Sequence, residues 1–340
     1  MQLLHLLSLS SLASAAALVQ PRQASSGCAN PEKRVEFRSL DAAFQKQYTD
    51  AVMCLATKPS GLSDLKLNTT LYDDFSYVHT HLNQIIHFCS MFLPLAPILR
   101  AALSRPAPRM RLHWPYDVSS RSVSLLPVTN SHRPYDRYWD WTLDAADPAS
   151  SSIWKVLGGN GGTDKIEKTG TQEWMCLTDG PFKDLRPAYN EKEYAPHCLS
   201  RDFFDGKTRP GNMRGSAYNA EQIKFINGQD TYADFRLYLE SIPHGSIHSA
   251  VGGQKGDMKP STSPNDPLFF LHHTQIDRLW YLWQQGNPDV REKDVADEKV
   301  NPADGTKAAL EDVMPFMGLA ADIKMSQVMT TQNDLLCYTY

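Results

Sequence analysis

Apolar residues recur at helical intervals in several stretches of the chain and fill one stretch almost completely. Over residues 36–55 they lie three or four positions apart, which predicts a helix with one buried face. The same pattern predicts helices over 77–88 and from about 233 to 242, after which Pro243 is expected to open a new helix. Residues 266–285 are apolar or aromatic at most positions, which favours a core helix.

Segments rich in Gly, Pro, Asn and Asp, notably 158–163 and 252–266, predict loops. We find no internal repeat and no clear boundary in the 340 residues, so we expect one mainly α-helical domain with long loops and few short strands. The 34 basic and 38 acidic residues are well mixed and give a net charge of -4. This balance argues against nucleic acid or a membrane surface as a partner and leaves a small molecule.

The N-terminus carries an apolar run followed by small residues at Ala15 and Ala17. This pattern predicts a secretory signal peptide over 1–17, and the run is too short to span a bilayer. The absence of Lys and Arg before the run leaves an ordinary N-terminal helix as the alternative. We expect a linker or short pro-segment over 18–27 and a secreted domain over 28–340.

The cysteines show no metal-binding spacing, so disulfides are expected in an oxidising compartment. The six positions are Cys28, Cys54, Cys89, Cys176, Cys198 and Cys337. We predict bridges between Cys28 and Cys337, near the ends of the mature chain, and between Cys176 and Cys198, which flank a loop. Asn68-Thr69-Thr70 is a glycosylation acceptor sequence, as expected for a secreted glycoprotein.

Histidines cluster in the second half of the chain. His244 and His248 lie four residues apart and could offer two imidazoles from one helix face to copper, zinc or iron, although such pairs are more often surface or core residues. His273 is embedded in apolar residues, and a buried imidazole needs a partner. Asp277 could hold its second ring nitrogen, directly or through a neighbour; alternatively, Asp277 pairs with Arg278 or caps a turn.

The segment from Asp266-Pro267 through the His272-His273 pair to Asp277 resembles the second copper signature of tyrosinases, catechol oxidases and molluscan haemocyanins. The resemblance implies that this copper, CuB, is held by His244, His248 and His273, with His272 as a neighbour. It also implies that Phe269 packs beneath the copper pair; the alternative is an ordinary core residue.

The resemblance extends over nearly the whole mature chain. Tyr138-Trp139-Asp140-Trp141 and the terminal Tyr338-Thr339-Tyr340 are similar to landmarks of the family. The resemblance implies a central four-helix bundle that holds a dicopper site. It also suggests the fungal short form that lacks a C-terminal lid domain and is active without proteolysis.

The first copper site, CuA, is incomplete. His79 and His87 match its first two ligands, and His81 is a less suitable substitute for His79. The family's third ligand lies in Phe-Leu-Pro-Trp-His-Arg, but here Leu95-Ala96-Pro97 follows Phe92-Leu93-Pro94, and no histidine stands at position 96. Ile85 occupies the position where some fungal members carry Cys, so no thioether to His87 of that kind is expected.

A reading-frame error explains the missing ligand. A plausible coding sequence for 95–99, shifted by one nucleotide, gives Trp-His-Arg-Tyr, and the same shift over 109–114 gives another family-like run that includes a cysteine. Residues 117–137 match the family in neither frame, and the resemblance resumes at Tyr138. We therefore interpret 95–137 as a frameshift followed by a retained intron. The rival is a genuine pseudo-enzyme with one metal, which could be zinc.

With both sites intact, the resemblance implies two copper ions (one if the sequence is literal), O2 as co-substrate and a small phenolic substrate. The expected reaction is oxidation of o-diphenols or o-aminophenols to o-quinones, with at most weak monophenol hydroxylation. Glu240 matches a catalytic carboxylate that orients a water, or it is a solvated helix residue; Gly245 stands where efficient monophenolases carry Asn. The alternatives are a haemocyanin-like O2 carrier and a metal-free binding protein. The sequence does not reveal the oligomeric state.

Overall fold

The computed structural model describes residues 28–62, 67–94, 137–207 and 209–340. The predicted signal peptide and linker, and all of 95–137 except Arg137, lie outside the described residues, so secretion and the frameshift stay predictions. The helices in the described ranges are α1 (Ala42–Leu55), α2 (Asp73–Ile86), α3 (Ile153–Leu157), α4 (Ala220–Asn227), α5 (Tyr232–Leu239), α6 (Gly245–Gly252), α7 (Leu268–Gln285) and α8 (Pro288–Arg291). None of them is long and apolar enough to cross a membrane.

Strands are short and pair only two at a time in the described part of the chain. They are β1 (Glu32–Lys33), β2 (Val35–Glu36), β3 (Arg137–Tyr138), β4 (Gly161–Thr169), β5 (Gln172–Leu177), β6 (Tyr189–Asn190), β7 (Glu193–Tyr194), β8 (Val313–Met314), β9 (Ile323–Lys324) and β10 (Tyr338–Thr339). β1 pairs with β10 and β2 with β3, both in parallel, while the other three pairs are antiparallel. The predicted mainly α-helical class is confirmed, and the four-helix bundle stays a prediction.

The first two predicted helices exist with shifted boundaries. α1 begins after Asp41, whose carboxylate accepts a hydrogen bond from the Phe44 amide and caps the helix. Residues Phe37–Ser39 form a separate 3-10 turn. α2 begins at Asp73, earlier than predicted, and two aspartates in its first turn favour this start electrostatically.

Two local predictions were wrong. Pro243 does not open a helix; it lies inside a π-helical turn, Glu240–His244, that joins α5 to α6. Proline has no amide hydrogen for a regular helix bond, and the wider turn accommodates it. The predicted loop at 158–163 contains the start of β4, where a Cβ on Gly161 would lie 2.1 Å from the Met175 carbonyl oxygen. Only glycine allows this close approach.

α7 is the centre of the core, because every residue from Leu268 to Asp277 is buried. The Tyr48 hydroxyl of α1 donates to the Pro267 carbonyl at 2.5 Å, and the Trp139 amide donates to the Leu271 carbonyl at 3.1 Å. The carboxyl-terminal half of α7 remains buried through Trp280 and Trp283. The core therefore fixes the direction of the helix that carries His272 and His273.

Residues near both ends of the described chain are attached to α7 through Asp277. Its Oδ2 accepts hydrogen bonds from Arg34 (2.5 Å), Tyr338 (2.7 Å) and Tyr340. No hydrogen bond joins Asp277 directly to His273 among the described contacts, and the other oxygen, Oδ1, is buried without a partner, so a hold on the His273 ring through a neighbouring group stays a prediction. The alternative of a pair with Arg278 is not observed, since the Arg278 guanidinium lies 3.6 Å from Asp140.

Both predicted disulfides are confirmed: Cys28 is bonded to Cys337 and Cys176 to Cys198. The first bridge closes the ends of the chain beside the β1–β10 pair. The other two cysteines are free, and Cys54 is exposed whereas Cys89 is buried. Burial raises the pKa of the Cys89 thiol to about 11, so Cys89 is protonated and unreactive at neutral pH.

Replacing Asp277 with asparagine should destabilise the fold strongly. The change removes the negative charge from the buried ion pair between Asp277 and Arg34, and breaking such a pair typically costs about 3–5 kcal/mol. Chemical denaturation of Asp277→Asn measures the loss in free energy of unfolding. The matched control is Asp50→Asn, which breaks an exposed pair with Lys46 and should cost less than about 1 kcal/mol. Equal losses in the two variants would contradict this account.

Candidate metal centre

Six histidines from four neighbouring segments lie close together, and four of them, His79, His87, His244 and His248, line a cleft of about 940 Å³. His79 lies on α2, His87 directly follows α2, His244 ends the π turn, His248 lies on α6, and His272 and His273 lie on α7. One ring nitrogen from each of His244, His248, His272 and His273 lies within 4.8 Å of the others. The ring centres of His87 and His244 are 5.6 Å apart, so the two predicted copper halves are adjacent.

Three of these imidazoles are held from behind by backbone carbonyls. The acceptors of their Nδ1 hydrogens are Ser261 for His79 (2.6 Å), Met258 for His248 (2.5 Å) and Glu240 for His244 (3.2 Å). A carbonyl oxygen can only accept, so Nδ1 carries the hydrogen and Nε2 carries a lone pair. The Nε2 atoms of His244 and His248 are buried without a hydrogen-bond partner, which is the arrangement a metal ion satisfies.

His87 is held in the same way by a carboxylate. Its Nδ1 lies 2.9 Å from Glu240 Oε1, and its Nε2 lies 3.3 Å from Nε2 of His79. When both rings carry a single hydrogen, on Nδ1, two lone pairs face each other across this gap. Their repulsion is relieved by a cation, so the donor set fits a metal ion bound by His79 and His87.

The protein environment keeps five of the six imidazoles neutral. Burial, assisted by the neighbouring His87, lowers the pKa of His79 to about 3, and burial lowers the pKa of His248 to about 4. Burial and mutual repulsion also hold the pKa values of His244, His272 and His273 well below the usual 6.5. Neutral imidazole is the form that binds a metal ion.

The two adjacent histidines of α7 differ in tautomer. The Trp141 indole nitrogen, which is only a donor, lies 3.2 Å from Nδ1 of His272. Nδ1 of His272 must therefore accept, and the hydrogen of the neutral ring sits on Nε2, where it blocks metal binding. His273 has no such donor among the described contacts. Nε2 of both rings is buried without a hydrogen-bond partner, so the difference between the two histidines rests on the Trp141 contact.

Phe269 lies between the two halves of the site. Its ring stacks on His273 with centres 4.0 Å apart and meets His79 edge-on at 5.2 Å. Its ring centre is 6.1 Å from that of His248. Phe269 is thus more than an ordinary core residue, because it separates and braces imidazoles of both halves.

Glu240 is not a solvated helix residue: its side chain is fully buried and its oxygens contact His87, the Phe88 amide and Arg236. Gly245 lies beside it, and a Cβ there would lie 3.4 Å from the Glu240 carbonyl oxygen, an ordinary contact. The helical backbone of Gly245, with φ -63°, admits any side chain. The backbone conformation at position 245 therefore does not require glycine. The absence of a side chain there leaves space at the wall of the cleft.

The loop that supplies two of the carbonyls is fixed by Asp257. This buried carboxylate accepts hydrogen bonds from His197 Nε2 (2.9 Å), the Ser200 amide (2.8 Å) and the Asn265 side chain (2.9 Å). His197 itself is fully buried and stacks on Trp174, with ring centres 3.7 Å apart. Asp257 thus connects the two ends of the 257–265 loop, from which the carbonyls reach the metal-site imidazoles.

Comparison with known proteins identifies the family. A family model described as "Common central domain of tyrosinase" matches residues 134–286. The chain is 36% identical over 314 residues to the tyrosinase-like protein phomQ2 of Diaporthe leptostromiformis, covering 92% of this chain and 74% of that protein. It is 35% identical to tyrosinase ustQ of Aspergillus flavus, covering 92% and 80%. The chain belongs to the tyrosinase family.

A solved structure supports the fold of this tyrosinase-family chain. A polyphenol oxidase variant from Thermothelomyces thermophila aligns with a TM-score of 0.70 and 24% identity, covering 91% of this chain and 88% of that one. The tyrosinase fold implies a binuclear copper centre, and the histidine cluster described above could bind metal.

Several residues that shape the site were missed from sequence. The carbonyls of Met258 and Ser261 leave no side-chain signal. Trp141 was noted only as a family landmark, and its contact with His272 spans 131 positions. Arg236 could have been found, since Arg236, Glu240 and His244 follow one another at intervals of four.

The His197–Asp257 pair predicts a pH dependence of stability. Burial opposes the charged form of His197, but Asp257 and the hydrogen bonds of the ring outweigh it and raise the pKa of His197 above 6.5. A group with a raised pKa in the folded state stabilises fully below its unfolded pKa, and this contribution is lost as pH rises through the folded pKa. The free energy of unfolding should therefore fall above about pH 6.5.

Unfolding by denaturant across pH 5.5–9 measures the contribution of His197 to the free energy of unfolding. The comparison is His197→Gln, because glutamine keeps a hydrogen bond without titrating. The wild-type curve should decline more steeply with rising pH than that of the variant. Equal slopes for the wild type and the variant would contradict the role assigned to the His197–Asp257 pair.

Proposed function

We propose that this protein is a copper-dependent phenol oxidase that converts o-diphenols to o-quinones or o-aminophenols to o-quinone imines. Each phenol gives up two electrons and two protons, and four electrons reduce one O2 to two waters. The observation that carries the proposal is the set of imidazoles whose Nε2 lone pairs converge from two adjacent groups. His79 and His87 would hold one copper, and His244, His248 and His273 would hold the other.

Copper supplies the electron-transfer chemistry when it is bound, and the protein supplies geometry and access. The chain's own part is to keep His79, His244, His248 and His273 neutral and to hold the first three of these rings by their Nδ1 side, with Phe269 packed against His79, His248 and His273. The cleft in front of the histidines is large enough for a phenolic ring, since ligand sites usually span about 300–1,000 Å³. Asn83, Gln84 and Asn301 add polar groups along its wall.

A preference for diphenols over monophenols is supported by Gly245 and Glu240. Gly245 contributes no side chain that could orient a water. The Glu240 oxygens already accept hydrogen bonds from Arg236, Phe88 and His87. A buried carboxylate with these donors is poorly placed to take a phenol proton, so we propose catechol-type substrates.

We retain the proposal that 95–137 reflects a frameshift and a retained intron. The family model begins at residue 134, so its match includes the CuB histidines and excludes His79 and His87. The partners of those two histidines, Ser261 and the Glu240 side chain, lie outside the doubtful segment. This arrangement supports an intact CuA environment that lacks only its third ligand. The alternative remains a one-metal protein without oxidase activity.

Encoding residues 95–116 in the shifted frame, which places Trp-His-Arg after Pro94, and deleting 117–137 should restore the enzyme. We expect the protein of literal sequence to bind about one copper per chain and the restored protein about two, because imidazole ligands determine copper occupancy. Metal analysis and oxygen uptake with catechol measure the outcome, and sequencing the spliced transcript across 91–141 shows which form exists. Two coppers and oxidase activity in the literal protein would overturn the proposal.

The tautomer argument predicts opposite effects for the two adjacent histidines. His273→Ala should abolish copper binding in the CuB half, since it removes a ligand. His272→Ala should retain copper, because the Trp141 contact leaves no free ring nitrogen lone pair on His272. The copper content of each folded variant shows which of the two histidines is the ligand. A variant pair with the reverse result would assign the ligand role to His272.

A further inference from the structure

We propose that Arg236 is a positioning residue that fixes the Glu240 carboxylate on His87 and so sets the CuA half for metal binding. The proposal rests on the proposed function, because it concerns the same site. It assigns Glu240 to orienting histidines, where sequence comparison alone suggested a role in orienting a water.

The Glu240 side chain is 0% exposed, and both of its oxygens have donors. Oε1 accepts from His87 Nδ1 at 2.9 Å and from the Phe88 amide at 2.8 Å. Oε2 accepts from Arg236 Nη1 at 3.0 Å and shares the Phe88 amide, also at 3.0 Å. Arg236 is the only positively charged side chain among these contacts, so it alone balances the buried carboxylate.

Arg236 is held in turn by Asp297, whose Oδ2 accepts from Arg236 Nε at 2.6 Å. Asp297 is fixed as well, because its other oxygen accepts from the Glu298 amide and its backbone carbonyl from the Ala308 amide. The planar guanidinium can address two carboxylates at once in a fixed geometry, which a lysine ammonium does less well. Asp297 is therefore held in place, and it fixes Arg236 in the orientation that reaches Glu240.

Glu240 contacts one histidine of each half. Its carboxylate holds His87, and its backbone carbonyl accepts from His244 Nδ1 at 3.2 Å. The π turn makes the second contact possible, since it begins at Glu240 and ends at His244. A carboxylate free to rotate would release the His87 hydrogen from Nδ1 and allow the tautomer that cannot bind metal through Nε2.

The test reads the tautomer of His87 directly in the metal-free protein. Nitrogen-15 NMR of histidine-labelled protein distinguishes a hydrogen on Nδ1 from one on Nε2, and we expect the Nδ1 form in the wild type. Arg236→Met should give a mixture of forms at His87 and leave His248 unchanged, because the Met258 carbonyl still holds that ring. Arg236→Lys, which keeps the charge, should restore the wild-type signal in part.

Arg209→Met is the matched control, since it breaks an arginine–carboxylate pair with Asp202 and touches no metal-site histidine. It should leave the His87 signal unchanged. A folded Arg236→Met protein with the wild-type His87 signal would overturn the proposal. So would an equal change in the control.

Glu240→Gln keeps the test decisive if Arg236→Met does not fold. Glutamine is isosteric, and its single oxygen must serve the Phe88 amide and Arg236, so its NH2 group faces His87 Nδ1. We expect the His87 hydrogen to move to Nε2. Retention of the Nδ1 form in this variant would reject the proposal.

A copper measurement separates this inference from the proposed function. In protein with the restored Trp-His-Arg segment, Arg236→Met should weaken copper binding at the CuA half by about 10- to 100-fold and leave CuB affinity unchanged. Competition with a chelator measures both affinities. Absence of copper from the restored wild type would reject the proposed function alone, because the tautomer readout needs no metal.

Discussion

The structure depends on one constraint: several neutral imidazoles must present Nε2 lone pairs to a common centre inside a buried site. Each buried nitrogen without a partner costs about 1–3 kcal/mol when no metal is bound, so the rings must be held against rotation. Hydrogen bonds from Nδ1 to Ser261, Met258 and Glu240 provide that restraint. The π turn and the loop fixed by Asp257 are the backbone features that place these acceptors.

The two halves of the site are supported by the same residues. The Glu240 carboxylate and carbonyl reach one histidine of each half, and the 258–261 segment does the same through its carbonyls to His248 and His79. Phe269 adds a packing contact between His79 and His273. The two halves therefore share the same backbone segments as supports, while each imidazole is held by an acceptor of its own.

Local sequence patterns predicted α1, α2, α5, α7 and the histidine cluster of the second half of the chain, because the spacing of His244 and His248 and the apolar run of α7 are short-range signals. They failed where the partner is distant in the chain. The Asp277 partner Arg34 lies 243 positions away, and nothing near Asp277 indicates that chain ends occupy its carboxylate. The family resemblance favoured His273 over His272, but the physical reason, a donor from Trp141, required the folded chain.

The buried charges around His87 bear on whether the incomplete CuA site is a loss or an error. Asp297, Arg236 and Glu240 form a buried row whose desolvation cost is considerable, and apolar residues of similar size would often be as stable or more so. Such a row benefits the protein when it orients a metal ligand. A protein that no longer bound copper at CuA would gain little stability from retaining these three buried charges. An error in the recorded reading frame, in contrast, would not affect these residues. The geometry around His87 therefore supports our proposal that the CuA site is interrupted only in the sequence between Pro94 and Tyr138.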